Sequence, residues 1–217
     1  MEIGVLGTGS VGQRIATKLV ELGHEVTMGS RSADGEGLRE WVEGAGPGAA
    51  GGTFADAAAA GELLFNCTAG EASLEALEAG GADNLSGKAL VDVSNPLDFS
   101  GGMPPTLTVC NDDSLGERIQ ATFPEARVVK SLNTVNNQVM TDPGRLPGAH
   151  NVFVCGEDER AKEMVTELLV EFGWPHESIV DLGGIAAARG TEMYLPLWLQ
   201  LMGALGTADF NIQLRVP

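Results

Sequence analysis

Near its start the chain carries Gly7-Thr8-Gly9-Ser10-Val11-Gly12, a run whose glycine spacing suits it to hold the pyrophosphate of a dinucleotide. It directly follows an apolar stretch, Glu2–Leu6, opens a helical stretch, Val11–Leu22, and is followed by a second apolar run at Glu25–Met28. That strand-helix-strand context is what makes the run specific. The three glycines do different things. Gly7 permits the tight turn, Gly9 lets the backbone approach the phosphates, and Gly12 lets the helix lie close on the sheet. The helix start at Ser10 and Val11 offers unpaired N–H groups and the positive end of the helix dipole to an anion. A glycine-rich turn without a ligand is the competing reading.

The end of the second apolar run discriminates between nicotinamide dinucleotides. An acid there would hold a ribose 2′-hydroxyl, as in NAD. This chain has Gly29-Ser30-Arg31-Ser32, with no acid before Asp34. Arg31 can pair with a 2′-phosphate, and Ser30 and Ser32 can donate to the same group, so NADP is expected. Ligands of such sheets bind outside the carboxyl ends of the strands, so later strand ends should complete the nicotinamide pocket. These are Cys67-Thr68-Ala69-Gly70, Val93-Ser94-Asn95-Pro96 and the segment Lys130 to Asn137. Thr68, Ala69, Asn95, Pro96 and Asn137 are the residues expected to touch the cofactor. For the asparagines, turn formation and helix capping compete with ligand contact.

Nothing else in the chain resembles a catalytic constellation. Cys67, Cys110 and Cys155 are far apart and sit among apolar neighbours, so all three are expected to be buried thiols. His24, His150 and His176 have no metal-ligand spacing, and no metal is expected. No side chain is assigned as acid or base; the catalytic residue stays unknown.

The elements that must position these residues alternate. Strands are expected at Glu2–Leu6, Glu25–Met28, Leu63–Cys67, Ala89–Val93, Leu107–Cys110, Arg127–Leu132, Asn151–Val154 and Ile179–Leu182, with helices between them, among them Asp34–Val42, Thr53–Ala60, Glu71–Ala79, Ser114–Phe123 and Asp158–Phe172. Continuous apolar strands joined by helices predict a Rossmann-type, doubly wound parallel sheet. A dinucleotide-binding domain at 1–140 and a small C-terminal lobe at 141–217 are expected. Composition agrees: 43% hydrophobic and 20% charged residues in 217 give a globular chain, and a net charge of -17 excludes non-specific nucleic-acid binding. The longest apolar stretch, Tyr194–Leu205, is interrupted by Pro196 and Gln200 and falls short of the ~20 residues of a membrane helix. With the first strand starting at Glu2, no signal peptide is expected, and the protein is expected in the cytoplasm without a membrane partner.

Taken together, Gly7 to Gly12 with Gly29-Ser30-Arg31, the Val129–Val135 segment, the Val154–Asp158 strand end and the C-terminal segment resemble the coenzyme F420-dependent NADP oxidoreductases, a family that also supplies the reductase domain of some membrane ferric reductases. The resemblance implies direct hydride transfer between NADP and a second ring, F420 or a flavin. It implies NADP contacts at Thr8, Ser30 and Arg31, and a wall of Leu132, Asn133, Thr134 and Val135 between the two rings. The chain departs from the family where a second basic residue would follow Arg31, and at Asn133 and Asn136-Asn137, where a family enzyme has His and Pro-Ala. The hydride partner therefore stays open. An NADP-dependent dehydrogenase or imine reductase of a small metabolite is one alternative, in which Lys130 is the only lysine placed to carry a proton. A non-enzymatic NADP-sensing protein is another. The apolar run Met193–Leu205 exceeds one buried helical face and must be covered either by the rest of the chain and a bound ring or by a second subunit; a homodimer is the favoured expectation.

Overall fold

The computed structural model describes residues 1–216; Pro217, the last residue of the expected C-terminal lobe, lies outside the described residues. Twenty elements follow in chain order: β1 (Glu2–Leu6), α1 (Ser10–Glu21), β2 (Glu25–Ser30), α2 (Glu36–Ala45), β3 (Ala49–Thr53), α3 (Phe54–Ala60), β4 (Leu63–Asn66), α4 (Ser73–Gly80), α5 (Ala82–Leu85), β5 (Ala89–Asp92), β6 (Leu97–Asp98), β7 (Thr106–Leu107), α6 (Leu115–Thr122), β8 (Arg127–Ser131), α7 (Asn137–Thr141), β9 (Val152–Cys155), α8 (Glu159–Glu171), β10 (Ile179–Asp181), α9 (Ala188–Met193) and α10 (Leu195–Leu205).

Eight of the strands form one sheet in the order β10-β9-β8-β5-β4-β1-β2-β3. The chain winds outward from β1 through β2 to β3, then returns to β4 beside β1 and winds the other way. The order therefore reverses between β1 and β4, which opens a crevice at their carboxyl ends. β4 and β5 are buried along their whole length, because helices cover both faces of the sheet. One apolar layer joins Ile3, Val5, Ile15, Leu19 and Val165; the other joins Leu6, Phe54, Leu64, Leu77 and Ile119.

Local chemistry sets several boundaries. A reciprocal cap starts α3: Thr53 Oγ1 accepts from Asp56 N at 3.2 Å while Asp56 Oδ2 accepts from Thr53 N at 2.8 Å. Asp158 starts α8 by accepting from Ala161 N at 2.8 Å. Pro196 cannot continue a helix from Met193 but suits a first turn, so α9 stops and α10 begins anew at Leu195, to end at left-handed Gly206.

The expected doubly wound architecture is the one adopted, with specific differences. β9 runs antiparallel to β8, so the sheet is mostly rather than wholly parallel. No strand covers Leu107–Cys110: Thr106–Leu107 pairs with Leu97–Asp98 in a two-stranded hairpin, and the chain then bends. Cys110 is exposed, not buried, because it sits on that bend, whereas Cys67 and Cys155 are buried. Residue 140, the expected boundary, falls inside α7, and β9 and β10 beyond it join the same sheet. Among the described residues no helix is long and apolar enough to cross a membrane.

Candidate functional site: a dinucleotide groove at the strand ends

The glycine run turns between β1 and α1. Gly7 has φ +117°, and a Cβ there would lie 2.7 Å from the carbonyl oxygen of Cys67. Only glycine combines that backbone conformation with that approach to β4. A Cβ on Gly12 would collide with Gly7 O, so Gly12 is what brings α1 down onto the turn. Gly9 is different: a Cβ there would meet nothing within 4 Å. Gly9 is the N-cap of α1, with no side-chain cap and no acid in the first turn. The first N–H groups of the helix have no acceptor among the described residues, the condition under which a phosphate is held. Gly7 N donates to Gly29 O at 2.9 Å, and Gln13 Nε2 to Thr8 O at 3.0 Å, which fixes the turn against β2 and α1.

Three cavities with shared wall residues run across the strand ends. The first, about 410 Å³, is lined by Gly7, Thr8, Gly9, Arg31, Thr68 and Ala69, with Glu71 and Glu75 also in its wall. The second, about 210 Å³, shares Thr68, Ala69 and Glu71 with it and adds Val11, Val93, Asn95 and Phe99. The third, about 280 Å³, shares Val11, Val93 and Asn95 with the second and adds Ser10, Asn133, Val135, Asn137, Leu195 and Trp198. The third shares no lining residue with the first, so the three follow one another as a groove leading away from Arg31. A larger cavity of about 670 Å³ lies between α8 and β10. Its lining includes Glu159, Glu163, Glu167, Glu171 and Asp181, which would repel phosphates, so size does not identify the site here.

Arg31 is exposed and makes no hydrogen bond or ion pair among the described residues, in a chain with a net charge of -17. Ser30 is less available: its hydroxyl donates to Ser32 O at 2.5 Å and accepts from Ser32 N at 3.2 Å, holding the turn. Ser32 Oγ accepts from Asp34 N at 3.3 Å, which leaves its proton for another acceptor.

Beneath the groove, the last register row of the sheet is polar. Asn66, Asp92 and Lys130 are direct neighbours on β4, β5 and β8. Lys130 Nζ donates to Asp92 Oδ2 at 2.8 Å and Ser94 O at 2.7 Å, and lies 2.7 Å from Glu192 Oε1. Asp92 Oδ1 accepts from Asn66 Nδ2, Ser94 N and Ser94 Oγ. Glu192, on α9, also accepts from Leu115 N and Gly116 N at the start of α6. All three charged side chains are essentially inaccessible. Burial alone would push Lys130 down, but Asp92 and Glu192 hold it above its ordinary value. Above this row, Asn95 Nδ2 donates to Asn133 O at 2.9 Å and Asn133 Nδ2 to Asn95 Oδ1 at 3.0 Å, clamping two strand-end loops together.

The structure thus brings Gly7, Thr8, Gly9, Ser10, Val11, Arg31, Thr68, Ala69, Asn95, Asn133, Val135 and Asn137 to one groove. Leu132 and Thr134 do not line it. Both are buried, and Leu132 turns inward with φ +63°. Ser30, Ser32 and Pro96 also lie outside the three linings, and Gly12 acts from behind. Asn136 caps α7 by accepting from Gln138 N at 2.7 Å, which is the capping role that competes with ligand contact at the asparagines. Sequence reasoning missed Asp92, Glu192, Leu195 and Trp198. A lysine inside the apolar run Val128-Val129-Lys130 was a signal that buried carboxylates had to exist; nothing local marked Glu192 as one of them.

The fold and this groove define a Rossmann dinucleotide-binding protein. A family model described as NADP oxidoreductase, coenzyme F420-dependent, matches residues 2–96. A crystal structure from Arthrobacter sp. FB24, assigned provisionally as an F420-dependent NADP-reductase, is 53% identical over the whole of both chains, with a TM-score of 0.94. The metalloreductase STEAP3 of Rattus norvegicus is 31% identical over 204 residues, 91% of this chain and 38% of that protein. The F420-dependent NADP reductase of Methanocaldococcus jannaschii is 31% identical over 120 residues, 55% of this chain and 52% of that protein. The chain belongs to the coenzyme F420-dependent NADP oxidoreductase family, whose cofactor is NADP. It spans about half, or less, of the length of these two curated relatives.

Proposed function

We propose that the chain transfers a hydride between NADP(H) and a second ring cofactor, F420 or a flavin. The observation that carries this reading is the lining of the third cavity. Ser10, Val11, Val93, Asn95, Asn133, Val135, Asn136, Asn137, Met140, Leu195 and Trp198 include an aromatic face and amides but no ionisable side chain. Hydride exchange between two rings needs alignment and exclusion of water, not a proton carrier. Trp198 adds an indole N–H with no acceptor among the described residues, in a ring stacked on Phe210 at 5.3 Å.

In this reading the first N–H groups of α1 hold the pyrophosphate, Arg31 pairs with the 2′-phosphate, and the Asn95–Asn133 clamp floors the nicotinamide end. The bound dinucleotide supplies the hydride chemistry. Leu195 and Trp198 close the far side of the cavity against water. The dehydrogenase alternative loses its proton carrier, since Lys130 is buried below the groove with all its protons engaged. Purified protein with NADPH should therefore reduce F420 or a flavin faster than ferric chelates or small imines. Imine reduction alone would overturn the proposal, and no turnover with any acceptor would favour an NADP sensor.

A homodimer in the cytoplasm is part of the same reading. Helix α10 buries Leu195 alone, while Leu197 and Leu205 remain more than half exposed at 55% and 57%. An apolar helix so placed is suited to a second copy. Leu197→Glu, on the exposed face of α10, should then yield monomers by light scattering. A wild-type protein that sediments as a monomer at high micromolar concentration would rule the dimer out.

A further inference from the structure

The polar row beneath the groove carries charge as well as hydrogen bonds. Lys130 contributes one positive charge, and Asp92 and Glu192 two negative ones. Both carboxylates face only donors. Asp92 takes Lys130, Asn66 and Ser94, and Glu192 takes Lys130 and the Leu115 and Gly116 amides. The start of α6 offsets roughly half a charge at Glu192. The cluster therefore stays net negative in surroundings where its field is weakly screened.

Its place matters. Asn95 follows Asp92 by three residues and Asn133 follows Lys130 by three, and both asparagines line the third cavity. Three residues of chain span at most ~10 Å. An oxidised nicotinamide ring is a cation and a reduced one is neutral. We infer that this buried row favours the oxidised ring over the reduced one, and so makes Asp92 and Glu192 the residues that set the balance between NADP⁺ and NADPH on the protein. This rests on the reading that the nicotinamide lies at these strand ends. Within it, the row tilts bound NADPH toward giving up its hydride.

Dissociation constants for NADP⁺ and NADPH, measured by calorimetry on wild type, Glu192→Gln and Asp92→Asn at one pH and ionic strength, test the inference. Each variant removes one negative charge from a different element. Each should lower the preference for NADP⁺ over NADPH by about three- to tenfold, the size expected for one charge at such a distance. A merely structural role weakens both forms alike, and an unchanged ratio in a folded variant overturns the inference while leaving the proposed function standing. If one variant does not fold, the other decides. If neither folds, the wild type decides: tighter binding of NADP⁺ supports the inference, and tighter binding of NADPH overturns it. A wild type that binds neither form defeats the proposed function, and the inference with it.

Discussion

Replacing Arg31 by alanine should weaken NADPH binding about 10- to 150-fold, the equivalent of one charged hydrogen-bonding partner, and leave NADH binding nearly unchanged. The size follows from what the guanidinium does in the free protein. It has no partner among the described residues, so its removal breaks nothing in the fold and releases no buried carboxylate. It lines the first cavity at the end of β2, opposite the Thr68 loop. Ser30 cannot replace it, because its one proton is held by Ser32 O. Lysine at this position should restore part of the loss, as a point charge without the forked geometry. Titration of both dinucleotides against wild type and variant measures the effect; equal losses for NADPH and NADH would show that Arg31 does not read the 2′-phosphate.

Gly9→Val should abolish NADPH binding, by about 100-fold or more, in a protein that still folds. Two or more charged hydrogen bonds from N–H groups to phosphate are lost when the pyrophosphate is pushed out, each worth about 1.5–3 kcal/mol. The fold is spared because a Cβ at Gly9 meets nothing within 4 Å. Gly12→Val is the contrast, since its Cβ would strike the backbone of Gly7 and drive α1 off the sheet. That variant should lose stability before it loses affinity. Circular dichroism with NADPH titration separates the two, and normal NADPH binding by a folded Gly9→Val protein would remove the glycine turn from the site.

The glycine run, the strand that precedes it and the basic turn after β2 are legible in the sequence because each depends on neighbours along the chain. Backbone conformation at Gly7, the β1–α1 junction and the end of β2 all lie within one supersecondary unit. Legibility fades where contacts are long-range. Glu192 meets Lys130 across more than sixty residues of chain, and nothing near Glu192 distinguishes it from a surface carboxylate. The antiparallel entry of β9 is hidden for the same reason, since an apolar run such as Val152–Cys155 reads alike in either direction. The Leu107–Cys110 run reads as a strand, yet its apolar residues flank a short hairpin rather than enter the sheet. Family resemblance puts Leu132 and Thr134 in the wall with Asn133 and Val135. The left-handed turn at Leu132 instead carries its side chain into the core, and Thr134 is buried beside it.

The three thiols divide by place. Cys67 stands in the wall of the first cavity, yet burial and, after it, the Asp92 carboxylate push its thiol well above the usual range. Burial pushes Cys155 up to about 12. Both stay protonated at neutral pH and are poor nucleophiles and poor targets for peroxide. Cys110, exposed after the hairpin, lines none of the three cavities. Alkylating agents and oxidants that reach the folded protein meet Cys110 first, so the groove can lie beside a sulfur atom without that sulfur becoming its point of chemical failure.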